Sequence, residues 1–190
     1  MRVFIDGSSD AEGFGGWACI IELPTGQHQE VSGGEKETTN NRMELQAAIQ
    51  ALRNVHPDEG YIIYSDSQYV VNGITQWVHR WKQAGWKKLN GSGSDALCNL
   101  DLWKELYHEF YMTHQGKTQM LWCKGHNGNQ MNEWVDSLAS NARNLMRKYA
   151  GLSSVIKKNA PKKYEKGAEL EKRIEVLEEE LAAIKAFLVI

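Results

Sequence analysis

The chain has 190 residues, 42% of them hydrophobic, with 22 Lys and Arg against 24 Asp and Glu for a net charge of −2. That length accommodates one domain with a sizeable core plus an appendage. The near-neutral balance excludes a global positive field that draws in polyanions, so any nucleic acid must be held by local patches and metal.

Taken in chain order, "RVFIDGS" is a β-branched and aromatic run stopped by turn residues, a predicted first strand. "GGWACIIELP" predicts a second strand closed by Pro24, and "TGQHQEVSGGE" a third, antiparallel to it. "TNNRMELQAAIQAL" predicts a helix from about Asn41 to Asn54, with Met43, Leu45, Ala47, Ala48, Ala51 and Leu52 as its packing face. "YIIYSDS" predicts a fourth strand, apolar and then abruptly polar, as suits a central position. "SQYVVNGITQWVHRWKQAG" predicts two short helices broken near Gly73 to Thr75. After a loop, "LDLWKELYHEFYMTH" predicts a helix, "KTQMLWCKG" a fifth strand and "NEWVDSLASNARNLM" the domain's last helix. A meander followed by alternating helices and strands defines the expected fold class: α/β, a mixed five-stranded sheet with helices on its faces.

The expected domain covers 1–150. Residues 151–168 predict a solvated linker, with five lysines and one glutamate in "KKNAPKKYEKG". Residues 169–190 predict an amphipathic heptad helix, its seam formed by Leu170, Ile174, Leu177, Leu181, Ile184 and Leu188. Parallel pairing of two tails sets Arg173 against Glu178 and Glu180 against Lys185, both attractive. A homodimer, docking on another protein, and packing on its own domain all remain open for this helix.

Cys19, Cys98 and Cys123 are odd in number and lack CxxC spacing, which fits a reducing compartment and small buried thiols. The opening residues lack the apolar stretch of a secretory signal. No run of about 18 apolar residues occurs, so a cytoplasmic location with no membrane partner is expected.

Four acids carry the chemistry. Asp6 ends the first strand and Asp66 the fourth; as neighbours, those strands deliver both carboxylates to one edge. Glu44 faces them from the helix behind, and Asp136 lies on the last helix. Carboxylates crowded within about 5 Å repel by kcal/mol amounts unless cations fill the gap. All-oxygen ligands without paired histidines select Mg²⁺ or Mn²⁺ over zinc. Two such ions about 4 Å apart suit in-line displacement at a phosphodiester. Singly, each acid has a plainer reading: Asp6 and Asp66 as turn or cap residues, Glu44 as first-turn acid on the helix dipole, Asp136 as surface charge.

"FIDGSS", "TTNNRMELQAAI", "YSDSQYVVNGITQWVHRWKQAGWK", "NLDLWKEL" and "KGHNGNQMNEWVDSLA" follow one another in an order and spacing that closely resembles bacterial ribonuclease HI over about residues 1 to 147. The resemblance implies the ribonuclease H-like fold. It also implies metal-dependent endonucleolytic cleavage of the RNA strand in an RNA–DNA hybrid, leaving 5′-phosphate and 3′-hydroxyl ends. It makes Asp6, Glu44, Asp66 and Asp136 the acids that hold two Mg²⁺ ions, and His126 the mobile-loop histidine that passes a proton or helps product leave. It aligns Asn40, Asn41 and Gln68 with positions that contact the hybrid, and Thr39 and Asn99 with positions that grip a DNA-strand phosphate. It likens Arg80, Lys82, Lys87 and Lys88, interleaved with Trp77, Trp81 and Trp86, to a basic protrusion. The chain departs from relatives at Glu37, where some carry arginine. It departs again at Asp10 and Glu12, where many carry an Asn–Pro–Gly turn; two added acids there are expected to lower affinity for nucleic acid or alter metal occupancy. A module that holds hybrids without cutting them, or a coiled-coil assembly protein, are the alternative readings.

Overall fold

The computed structural model describes residues 1–87, 97–125, 128–159 and 168–187. Five strands form one sheet in the order β3-β2-β1-β4-β5. They are β1 (Arg2–Ser9), β2 (Gly15–Glu22), β3 (His28–Glu35), β4 (Ile62–Ser65) and β5 (Gln119–Trp122). β1 pairs antiparallel with β2, and β2 with β3; β1 and β4, then β4 and β5, run parallel. The predicted mixed sheet is the one observed.

Strand alternation divides the interior in two. Val3 and Ile5 of β1, with Trp17, Cys19 and Ile21 of β2, face α1 (Asn40–Arg53) in the main core. Phe4, Ala18 and Ile20 face the other way, onto Val135 and Ala139 of α5 (Gln130–Asn159). α1 is buried on most of its circumference because α4 (Leu100–Tyr107) covers the side that the sheet leaves open. Two arginines seal that contact: Arg42 grips Asp101 through both carboxylate oxygens at 3.0 and 2.8 Å, and Arg53 reaches Glu105 and, just past α4, Glu109.

The expected break near Gly73 is not a break. α2 (Gln68–Asn72) continues through a π-helical turn at Gly73–Trp77 into α3 (Val78–Gln83), so the chain shifts helical register without leaving the helix. A second π turn, His108–Thr113, follows α4. Trp81 and Trp86 act as packing. Trp81 meets Trp103 edge-on at 5.2 Å, and Trp86 meets Tyr107 at 5.8 Å.

The chain's last third departs further from expectation. α5 runs on to Asn159, past the boundary expected near residue 150. α6 (Ala168–Phe187) folds back along it. Ile184 is 5% exposed and clusters with Ala142 and Met146, while Glu180 pairs with Lys148 at 3.2 Å. Leu177 and Leu181 are half-buried. Part of the heptad seam is therefore spent within the chain, on the face a second copy would need. Leu170, Ile174 and Leu188 lie outside the described side chains. Of the thiols, only Cys19 is buried; Cys98 is exposed and Cys123 half-buried, contrary to the expectation that all three fill apolar space. No helix among the described residues is long and apolar enough to cross a membrane.

Candidate active site

The parallel register that sets Phe4 beside Tyr64 places Asp6 beside Asp66 two residues further along. The rings of Phe4 and Tyr64 stack beneath them at 5.2 Å. Glu44 arrives from the opposite face. Gly7 makes this approach: a Cβ there would collide with the backbone of Met43 and Glu44. Without one, α1 rests on the strand and the Glu44 carboxylate, in the helix's second turn, reaches over the end of β1. Asp6, Glu44 and Asp66 each offer a carboxylate oxygen, all within 4.8 Å of one another.

Electrostatics make this cluster costly as bare protein. Burial, then the charges of Glu44, Asp66 and Asp136, push the Asp6 carboxyl up to about 9, against a lowering bond from the Gly7 amide. Burial, then Asp66, push Glu44 up to about 8, against the lowering influence of the nearby Ser67 hydroxyl and of Asn40, which donates to it. Glu44 Oε2 is buried and has no hydrogen-bond partner among the described residues. An orphaned carboxylate oxygen aimed at two more carboxylates is a donor set that fits a hard divalent cation. Asp136, half-buried on α5, is near enough for its charge to act on Asp6 but stands outside the 4.8 Å group.

Surrounding residues fix the acids. Asn40 Nδ2 donates to Glu44 Oε1 at 3.1 Å, and its Oδ1 accepts from the Ser9 amide at 3.2 Å. Asn40 thus ties the end of β1 to α1 while remaining exposed. Asn132, 2% exposed, donates to Asp66 Oδ2 at 3.3 Å and accepts from the Cys123 thiol at 3.4 Å. Trp122 Nε1 donates to the Asp66 carbonyl at 3.0 Å. A side chain on Gly125 would strike Asp66 Oδ2. None of Asn132, Trp122 or Gly125 was singled out as an acid-positioning residue from sequence. Asn132 sits four residues before Asp136 and so shares its helix face, which is the signal that would have found it.

Thr39 caps α1, its hydroxyl accepting from the Arg42 amide at 3.4 Å. Asn99 precedes α4 in a left-handed conformation and donates to Tyr69 Oη at 3.2 Å. The Arg42–Asp101 pair joins the two helix starts, bringing the predicted phosphate residues to one side of the fold. Asn41 and Gln68 are exposed in the first turns of α1 and α2. Arg80, Lys82 and Lys87 are exposed, with Lys82 Nζ 2.7 Å from Tyr107 Oη. His126 and Lys88 lie outside the described residues.

Asp10 and Glu12, the added acids, are not free. Arg147 Nη2 lies 3.0 Å from Asp10 Oδ2 and 3.1 Å from Glu12 Oε1. Asp10 Oδ1 also accepts from the amides of Glu12 and Phe14. Burial pushes the Asp10 carboxyl up, but those amides with Arg147 and Arg143 outweigh it and hold it below the usual carboxylate range.

A mixed five-stranded sheet whose central strands deliver acids to a common edge, flanked by helices on both faces, defines a ribonuclease H-like α/β protein. The family model for RNase H matches residues 1–144. The ribonuclease H of Erythrobacter litoralis (strain HTCC2594) is 46% identical over 147 residues, covering 76% of this chain and 96% of that protein. That of Dechloromonas aromatica (strain RCB) is 44% identical over 142 residues, 74% of this chain and 90% of that protein. The crystal structure of LC9-RNase H1, described as a type 1 RNase H with the type 2 active-site motif, superposes with a TM-score of 0.63 at 33% identity, covering 75% of this chain and 71% of that one. A foamy viral protease–reverse transcriptase in complex with RNA/DNA hybrid shares the fold at a TM-score of 0.63 and 15% identity, over 75% of this chain and 20% of that one. This chain belongs to the RNase H family and is a ribonuclease H enzyme. The family model ends at residue 144, short of the tail.

Proposed function

We propose that the chain hydrolyses the RNA strand of RNA–DNA hybrids by in-line attack of water, leaving 5′-phosphate and 3′-hydroxyl ends. The observation that carries this reading is the convergence of Asp6, Glu44 and Asp66 within 4.8 Å, with Glu44 Oε2 buried and unpartnered. Asp6, Glu44 and Asp66, with Asp136 beside them, are the residues that would hold two divalent ions, Mg²⁺ or Mn²⁺ by their all-oxygen chemistry. Such ions supply Lewis-acid stabilisation of charge on the phosphoryl oxygens and a lowered pKa for attacking water.

The protein's own groups do the rest. Asn132 and Trp122 hold Asp66 from the side chain and the backbone, so that acid meets its load in one orientation. Asn40 holds Glu44 and still presents an amide to solvent, which suits it to a 2′-hydroxyl in the minor groove of a hybrid. Asn41 and Gln68 flank the same edge. Thr39 and Asn99 take a phosphate of the DNA strand, and Arg80, Lys82, Lys87 and Lys88 contact the backbone further out. His126 moves a proton to the leaving oxygen or helps product depart, as an imidazole that titrates near neutral pH can.

The test offers labelled RNA–DNA hybrid, duplex RNA and duplex DNA to the protein with Mg²⁺, beside the Asp66→Asn variant. Cutting confined to the RNA of the hybrid, and lost in the variant, is the expected result. Binding without cutting by the wild-type chain would instead make it a hybrid-holding module.

A further inference from the structure

Two arginines on α5 hold the segment that runs on from Asp6. Ser8 lies opposite Gly16 across β1 and β2, where the backbone of Ala142 and Arg143 passes directly overhead. Arg143 Nη1 donates to Ser8 Oγ at 2.7 Å. One helical turn later, Arg147 forks onto Asp10 and Glu12 at 3.0 and 3.1 Å, with its guanidinium 5.8 Å from the centre of the Phe14 ring. Phe14 packs on the cluster of Ala142, Met146 and Ile184, so α6 backs the same stretch of α5. The Ser9 amide, between the two arginine contacts in sequence, bonds Asn40, which in turn bonds Glu44.

Asp10 follows Asp6 by four residues, about 13 Å along an extended strand. At low ionic strength the Debye length is about 30 Å, so bare carboxylates at that distance repel phosphates bound over the acids. We propose that Arg147 is a charge-masking and positioning residue: it offsets half of the charge of Asp10 and Glu12 and pins their turn to α5, so that a phosphodiester strand can pass beside it. This rests on the hybrid-cleaving reading above. It also bears on the added acids: α5 supplies a counter-charge, so they repel substrate less than two bare carboxylates would. Phosphates gain nothing directly from Arg147, whose two contacts already face carboxylates. The mask is worth most at low salt, and it vanishes when there is nothing left to mask.

The test compares hybrid cleavage by wild type, Arg147→Gln, the Asp10→Asn/Glu12→Gln pair, and the triple variant, at low and near-physiological salt. Arg147→Gln is expected to raise KM about threefold at low salt, less at higher salt, with kcat within about twofold. The pair and triple variants are expected at or below the wild-type KM, because removing the acids removes the repulsion that the mask opposes. A triple variant as impaired as Arg147→Gln, or an Arg147→Gln variant with unchanged KM, overturns the mask while leaving the nuclease reading intact. A wild-type chain that cuts no hybrid overturns that reading, and the mask with it.

Discussion

Replacing Asp6 by Asn should stabilise the metal-free protein, and the structure sets the scale. In the folded chain, burial and the neighbouring charges raise the Asp6 pKa from 3.8 to about 9. Between those values the folded state binds a proton that the unfolded state releases, so stability falls as pH rises through the window. It is greatest below the unfolded value and is fully lost only above the folded one. From 3.8 to neutral pH is roughly three units, and at 1.36 kcal/mol per unit the ceiling is about 4 kcal/mol. Glu44, raised from 4.5 to about 8, titrates in the same cluster and shares that cost. A gain of about 2–4 kcal/mol for Asp6→Asn near pH 7 is therefore expected. Urea unfolding followed by circular dichroism in EDTA measures it. The gap between variant and wild type should widen from near pH 5 to near pH 8, and it should shrink when Mg²⁺ is added, since a cation bound only to the folded wild type stabilises it by mass action. A variant no more stable than wild type in EDTA, or a gap that does not grow with pH, would refute the claim that these carboxylates are crowded at the expense of folding.

Three further substitutions follow from the same geometry. Gly125→Ala places a methyl against Asp66 Oδ2; steady-state cleavage should drop about 100-fold while the circular dichroism spectrum is retained. Asn132→Ala removes the donor to Asp66 and the acceptor for Cys123; activity should fall about 10–100-fold, and the midpoint of a Mg²⁺ titration should shift to higher concentration. Ile184→Ala empties the contact of α6 on Met146 and Ala142; it should cost about 2 kcal/mol in denaturant unfolding without changing the sedimentation coefficient, whereas a dimer held by the tail would dissociate.

Legibility from sequence followed the range of the interactions concerned. Strand alternation in "VFI" and "WACII" is a local property, so both faces of the sheet were readable, and the acids ending β1 and β4 followed once those strands were taken as neighbours. The π turn at Gly73–Trp77 was not readable, because a one-residue register shift leaves the apolar spacing nearly unchanged and a glycine reads as a break. Asn132 escaped because its value lies in a carboxylate 66 residues away. Asp10 and Glu12 were visible as departures, but their counter-charge was not: the guanidinium that meets them is more than 130 residues distant.

The tail shows the same limit from the other side. Heptad spacing identifies a helix with one apolar face, and it carries no information about which surface that face meets. The decisive feature lies on α5, where Leu145 and Leu152 repeat at seven residues beside Ala142, Met146 and Tyr149. This makes α5 itself a partner of matching period. Lys148 meets Glu180, and Lys185 approaches the Tyr149 ring at 5.7 Å, so charge as well as apolar area favours the intrachain pairing. An intrachain partner also avoids the loss of translational freedom that a second copy imposes. The helix thereby packs on the stretch of α5 that carries Arg143 and Arg147, which links a segment outside the matched domain to the turn beside the acids.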